Sequence, residues 1–373
     1  MIRILSLVTP FFLLTLFGFN NNNFSNSSNY KAGQLSLRAS NDLDTDTLKF
    51  PDEKHLKNVR QLTFGGENAE AYFSFDDDML VFQRTNQKEG VHCDQIYYSD
   101  LKNFKRKLVS TGTGRTTCPY FLPGNRQIIF ASTHLSSEAC PEVPDRKKIG
   151  KYVWPIYDSF EMFISDLDGN IIKQLTDNKV YDAEATISPI GDKIVFTSMR
   201  SGDLELYTMN IDGSEIKQIT SQLGYDGGAF FSADGSRLVF RSSRPKTAEE
   251  VKEYKDLLMQ GLVAPTDMEI YTCNADGSDL KQITQLGKAN WAPYFHPSGK
   301  KIIFSSNHEN PRGFPFNLYL INIDGSGLEK VTNDDSFDAF PMFSFDGKSI
   351  LFSSNRNNGG GRDTNVFIAE WID

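Results

Sequence analysis

The chain lacks most of the features that announce a chemistry directly. No G-x-S-x-G run occurs anywhere in its 373 residues, which excludes the strand-turn-helix elbow that presents a hydrolase serine. Basic residues are too few and too scattered for a nucleic-acid partner: 39 Lys and Arg stand against 48 Asp and Glu, a net charge of -9, and no basic stripe forms. Cations, metal ions and neutral surfaces suit that balance better. Past the N-terminus no apolar run is long enough to span a membrane. Cysteine is absent from the first thirty residues, which removes the usual lipoprotein attachment, and only four cysteines and five histidines occur in all.

What is present begins with "MIRILSLVTPFFLLTLFGFNNNN". Arg3 ahead of the apolar stretch Ile4 to Phe19 reads as a secretory signal over residues 1–22. Residues 23–56 are rich in Asn, Ser and Asp and read as a disordered tether. Export to the periplasm or the cell exterior follows as an expectation, with the folded part spanning 57–373.

That folded part repeats itself. "YDAEATISPIGDKIVFTSMR" from Tyr181 returns as "YDGGAFFSADGSRLVFRSSR" from Tyr225, and six strand-ending tripeptides close at Thr63, Ser110, Thr176, Thr220, Thr284 and Thr332. Their intervals are 47, 66, 44, 64 and 48 residues, so one unit recurs and two copies carry insertions of roughly 20 residues. Each copy holds an apolar run, a Gly/Asp turn, a β-rich run such as "IVFTS", a third strand and a turn such as "DGS" into a fourth. Six four-stranded units predict an all-β, six-bladed β-propeller, whose radial packing protects strand edges. The last unit stops after its third strand, "TNVFIAEWID", while "NVRQLT" at Asn58–Thr63 waits unpaired, so the N-terminal strand is expected to close the ring.

The segments "SADGSRLVF", "DGSEIKQIT" and "SFDGKSILFSSNR" resemble the repeats of TolB-type propellers, periplasmic components of the Tol-Pal envelope system. The resemblance runs from about Asn58 to Asp373 and implies the propeller; the α/β domain that precedes it in TolB has no counterpart in the 35 or so tether residues. It is also similar to stand-alone secreted propellers, and to sugar-acid lyases that hold a metal with His residues at the channel mouth. Fold analogy alone assigns no function.

In a propeller the loop entering the first strand and the loop leaving the second share one face, so the variable ends of each repeat gather around one mouth. The first such ring is Asn68, Thr116, Asp182, Asp226, Asn290 and Asp338, followed two residues later by Glu70, Cys118, Glu184, Gly228, Ala292 and Phe340. Four residues past each second-strand Phe come Asn86, His134, Arg200, Arg244, His308 and Arg356. The Arg residues either tie blades together by pairing with the carboxylates or leave Glu70, Asp182, Glu184 and Asp226 to hold a divalent cation or a cationic group. His134, His308 and His92 would add nitrogen ligands for a transition metal. The Asp-Gly turns lack the rest of a calcium loop and read as hairpins.

An even cysteine count in an exported chain predicts disulfides, with Cys118–Cys140 the first choice, pinning the insertion "HLSSEACPEVPDRKKIGKYVWPIY", and Cys93–Cys118 the second. In the other insertion Thr247 and Glu250 form a capping box, Val251, Tyr254 and Leu258 share one face, and Gly261 sits where the helix ends. A short helix over the mouth is expected. With no recognisable catalytic set, the sequence reads first as a monomeric envelope module binding a protein or small ligand at its mouth. The alternative is a metal-assisted carbohydrate lyase or hydrolase.

Overall fold

In the computed structural model the described residues are 46–373, apart from 311–312. The expected signal (1–22) and the tether up to residue 45 lie outside them. Six four-stranded antiparallel sheets form the blades. Their innermost strands are Glu67–Phe73, Thr116–Phe121, Asp182–Ile187, Asp226–Phe231, Asn290–Phe295 and Asp338–Phe343. Blade six takes Leu56–Gln61 as its outermost strand, with Leu56 opposite Trp371 and Gln61 opposite Phe367. The expected ring closure is therefore what the chain does.

The repeat has a physical origin at each of its landmarks. The second-strand phenylalanines Phe82, Phe130, Phe196, Phe240, Phe304 and Phe352 are all fully buried, each contributing about 1.5–3 kcal/mol relative to an exposed ring. The hydroxyls that end the tripeptides close the ladder where the outermost strand stops. Ser110, Thr176, Thr220, Thr284 and Thr332 each accept a third-strand N–H at 2.8–3.0 Å, and Thr63 accepts from Val366 N–H at 2.8 Å. In the hairpins of blades three, four and five the carboxylates of Asp212, Asp276 and Asp324 accept from the N–H and hydroxyl of the serine two residues on.

The last part of the segment read as a tether is structured from Asp46 on. Asp46–His55 packs on the ring: Glu53 is fully buried, with its carboxylate on the Arg356 guanidinium at 3.0 and 3.2 Å. His55 stacks on Trp371 at 4.8 Å, and its Nδ1 lies 2.7 Å from the Ile372 carbonyl. The polar composition misleads here because Glu53 meets an arginine from the far end of the chain, a pairing that local sequence cannot announce.

The disulfide is Cys93–Cys140, not the expected Cys118–Cys140. Cys118 lies on the innermost strand of blade two, at the channel, whereas Cys140 runs outward over blade one to the third strand Val91–Asp100, which starts early enough to include Cys93. Cys273 is a buried free thiol. The helix Ala248–Leu258 carries the predicted capping box, and Tyr254 and Leu257 form its most buried contacts. Among the described residues no helix is long and apolar enough to cross a membrane.

Candidate functional site

Every innermost strand contains a bulge. Register shifts between Ala69 and Tyr72, Thr117 and Tyr120, Ala183 and Thr186, Gly227 and Phe230, Trp291 and Tyr294, and Ala339 and Met342. The residue at the bend, Glu70, Cys118, Glu184, Gly228, Ala292 or Phe340, takes a left-handed backbone with φ between +48° and +60°. Five of those six are not glycine, and such strain persists only where surrounding structure imposes it. The bulge turns this residue toward the axis, and all six line one cavity of about 370 Å³ at the mouth.

Below the cavity, aromatic rings close the channel. Tyr72 packs on Tyr120 at 5.7 Å and on Phe230 at 5.5 Å, and Phe230 on Tyr294 at 5.1 Å. Above it, the two insertions make a roof. Trp154–Pro155 from blade two pairs antiparallel with Leu262–Val263 from blade four, and Ile156 N–H donates to the Gly261 carbonyl at 2.7 Å. The first insertion is thus joined to blade one by the disulfide and to the blade-four insertion by backbone pairing, so it straps the mouth. Trp154 hangs from the strap, 5.2 Å from the Trp291 ring and 5.2 Å from the Arg241 guanidinium.

Two glutamates in equivalent positions have opposite surroundings. Glu184 is saturated: Oε1 accepts from Tyr225 O–H at 2.7 Å and from Arg241, and Oε2 accepts from Thr197 Oγ1 at 2.7 Å and Gly228 N–H at 2.9 Å. Burial alone would raise its pKa, but Arg241 and these donors hold it below the ordinary carboxylate range. Glu70 accepts a hydrogen bond from the Cys118 thiol, feels Arg241 only through space, and its Oε2 is buried without a partner. Burial pushes its pKa up to about 7. The other paired charges on the cavity wall are Arg115 and Asp94.

Arg241 went unnoticed in the sequence, although it is an arginine where the other second strands have Gln83, Ala131, Thr197, Ser305 and Ser353. Gly228 makes room for it: a Cβ there would lie 1.8 Å from Arg241 Nη1.

Of the charged residues nominated for the mouth, only Glu70 and Glu184 line this cavity. Asp182, Asp226, Asn290 and Asp338 are fully buried between blades. The arginines pair with them blade by blade: Arg200 with Asp182 at 2.9 Å, Arg244 with Asp226 at 2.7 Å, and Arg356 with Asp338 at 2.9 Å. The first residue of the third strand in blades three, four and six completes this girdle, and sequence reasoning did not single it out. Asn365 accepts from Asn68 of the next blade at 3.2 Å, Glu269 accepts from Asn290 at 3.2 Å, and Glu205 lies against Asp226.

The histidines stay apart. His134 packs on Phe163 at 4.5 Å with Nδ1 on Ser132 Oγ, His308 packs on Tyr319 at 4.6 Å with Nδ1 on Ser306 Oγ, and His92 is an exposed partner of Gln87. The half-buried rings of His134 and His308 take the place that Arg200 fills over Phe196 and Tyr207. Among the described residues the one group with metal-ligand spacing is Glu53, Asp334 and Asp338. The Arg356 guanidinium already bonds all three, so these residues do not fit a metal ion.

The PD40 family, described as the TolB beta propeller domain, matches residues 143–261. A putative TolB from Agrobacterium tumefaciens superposes with a TM-score of 0.53 at 18% identity, over 83% of this chain and 91% of that one. An oligogalacturonate lyase from Vibrio parahaemolyticus gives 0.52 at 14% identity, over 83% and 79%. An oligogalacturonate lyase in complex with manganese gives 0.50 at 16% identity, over 84% and 80%. At these identities the likeness concerns the fold. No curated protein matches the chain in sequence.

Proposed function

This chain is a TolB-like six-bladed β-propeller, and from that premise we propose that it is an exported envelope module that binds a small ligand in the roofed cavity at its mouth. The observation that supports this reading is the roof itself. Two insertions meet over the bulge residues and enclose about 370 Å³ between aromatic walls. That size and lining suit a compact ligand, whereas a protein partner would need a broad open face. Trp154, Trp291, Tyr181 and Phe340 supply flat apolar contact, and Arg241, Glu184 and Glu70 supply oriented polar groups. The alternative, a metal-assisted lyase or hydrolase, draws no support from His134, His308 and His92, which sit on separate blades against separate aromatic rings.

The test uses intrinsic fluorescence. Trp154 and Trp291 line the cavity, while Trp371 belongs to the closing strand pair of blade six. A ligand found by thermal-shift screening should quench or shift tryptophan emission, and Trp154→Ala should weaken it about tenfold or more. Hits that bind the Trp154→Ala protein equally well would place the site elsewhere. Export is tested by fractionating cells that express the full chain; recovery wholly in the cytosol would refute it.

A further inference from the structure

The cavity wall carries a charge imbalance that its own residues leave uncompensated. Two cations line it, Arg115 and Arg241, and both are committed, the first to Asp94 and the second to Glu184. Two carboxylates remain. Glu67, exposed at the rim, accepts from the Thr364 N–H at 3.2 Å and from the Thr364 hydroxyl, whereas Glu70 has a buried oxygen with no partner. The comparison within the fold sharpens the point. Glu184, on the same bulge two blades away, gathers four donors, so the propeller can satisfy a glutamate at this position and does not do so for Glu70. An ionised carboxylate held out of water without a counter-charge is costly, and an incoming cation removes that cost.

The walls point the same way. Arg241 lies over the Trp154 ring at 5.2 Å and the Tyr225 ring at 5.0 Å, so aromatic faces of this cavity already hold a positive charge. An oxygen that lacks a donor calls for a cation bearing N–H groups, which a quaternary ammonium does not have.

Resting on the cavity reading above, we propose that the ligand is a small organic cation with a primary ammonium group, held by the Glu70 carboxylate and flanked by the aromatic walls of the mouth. The groups that face Glu70 are Cys118 on blade two, Glu184 on blade three, Arg241 on blade four, and Asp94 and Tyr72 on its own blade. None of them is a free cation.

The probe is phenethylammonium, compared at pH 8 with 2-phenylethanol and phenylacetate, which have related shapes and different charge. Titrations monitored by tryptophan emission should rank ammonium above alcohol above carboxylate, with about tenfold or more between the first two. Glu70→Gln, which keeps the shape, should reduce that gap to about twofold. A second readout needs no variant: in the wild-type protein the affinity for phenethylammonium should fall as pH drops below about 7, because Glu70 then holds a proton. An alcohol that binds as tightly as the ammonium, a preference that survives Glu70→Gln, or a pH-independent affinity would overturn the inference. The two readings fail separately. Mouth ligands that prove neutral or anionic leave the cavity standing and remove the cation, whereas ligands that ignore Trp154→Ala remove both.

Discussion

Replacing Glu205 with glutamine should stabilise the protein, and increasingly so as pH rises. Glu205 begins the third strand of blade three and is almost fully buried against Asp226 of blade four; its Oε2 has no donor. Burial first, and then Asp226 and Asp203, push its pKa from 4.5 up to about 8, opposed by the Thr220 hydroxyl. Arg244 pairs with Asp226, and Tyr254 donates to Asp203, so no cation remains for Glu205 itself. The folded protein therefore holds a proton here that the unfolded chain releases above pH 4.5. A group raised in this way favours folding fully below pH 4.5 and loses that contribution as pH climbs toward 8. At about 1.4 kcal/mol per pH unit, the 2.5 or so units between 4.5 and neutrality set a ceiling of about 3 kcal/mol at pH 7. Glutamine needs no proton, donates to Asp226 and still accepts from Thr220. We expect a gain of about 1–3 kcal/mol at pH 7, visible as roughly 2–8 °C in Tm, shrinking to nothing near pH 4.5. Thermal melts of both proteins from pH 4.5 to 8 decide it. An equal difference across that range, or destabilisation at pH 8, would refute the shared-proton account.

Three further outcomes follow from other parts of the molecule. Gly228→Ala would drive a methyl group into the Arg241 guanidinium at a left-handed position and should cost about 1–3 kcal/mol; an unchanged melting temperature would show that the arginine moves freely. Cys93→Ser frees the strap from blade one by opening a link across 47 residues, worth up to about 4 kcal/mol in chain entropy, so limited proteolysis should cut within residues 135–150 and mouth ligands should weaken; intact resistance would mean that the pairing of Trp154–Pro155 with Leu262–Val263 holds the strap alone. A chain beginning at residue 64 lacks both the closing strand and Glu53, leaving Arg356 and the third strand of blade six uncovered, and should melt many degrees lower or aggregate; equal stability would contradict closure by that strand.

The architecture was legible in the sequence because a propeller writes its landmarks again in blade after blade. A buried second-strand Phe, a hydroxyl at the end of each tripeptide and an Asp-Gly hairpin each recur for a local packing reason, and local reasons survive in a linear reading. The two rings of variable residues were also found, but their roles depend on one backbone feature. The bulge sends the residue two places past Asp182 toward the axis and keeps Asp182 itself between the blades, and a left-handed φ at Glu184 or Phe340 has no signature in residue type. The Cys93–Cys140 bond, the Glu53–Arg356 contact and the meeting of two insertions join residues far apart in the chain. Arg241 is different: an arginine among small residues at a repeated position was visible and could have been read as the marker of the site.

Closure of blade six sets a timetable for biosynthesis. Asn58 on the first strand bonds Glu370 on the strand it pairs with, 312 residues later. A ribosome delivers Leu56–Gln61 some 312 residues before its partner, so this strand waits with a bare edge while the five intervening blades are made, and so does the side of blade one that faces the gap. Blades two to five, built from consecutive strands, can form as they emerge. The circle cannot, and an exported chain would complete it only after Asn365–Trp371 had cleared the exit tunnel or the membrane. Until then the nascent protein is an open arc with two adhesive ends, the stage at which a holding chaperone has the most to protect.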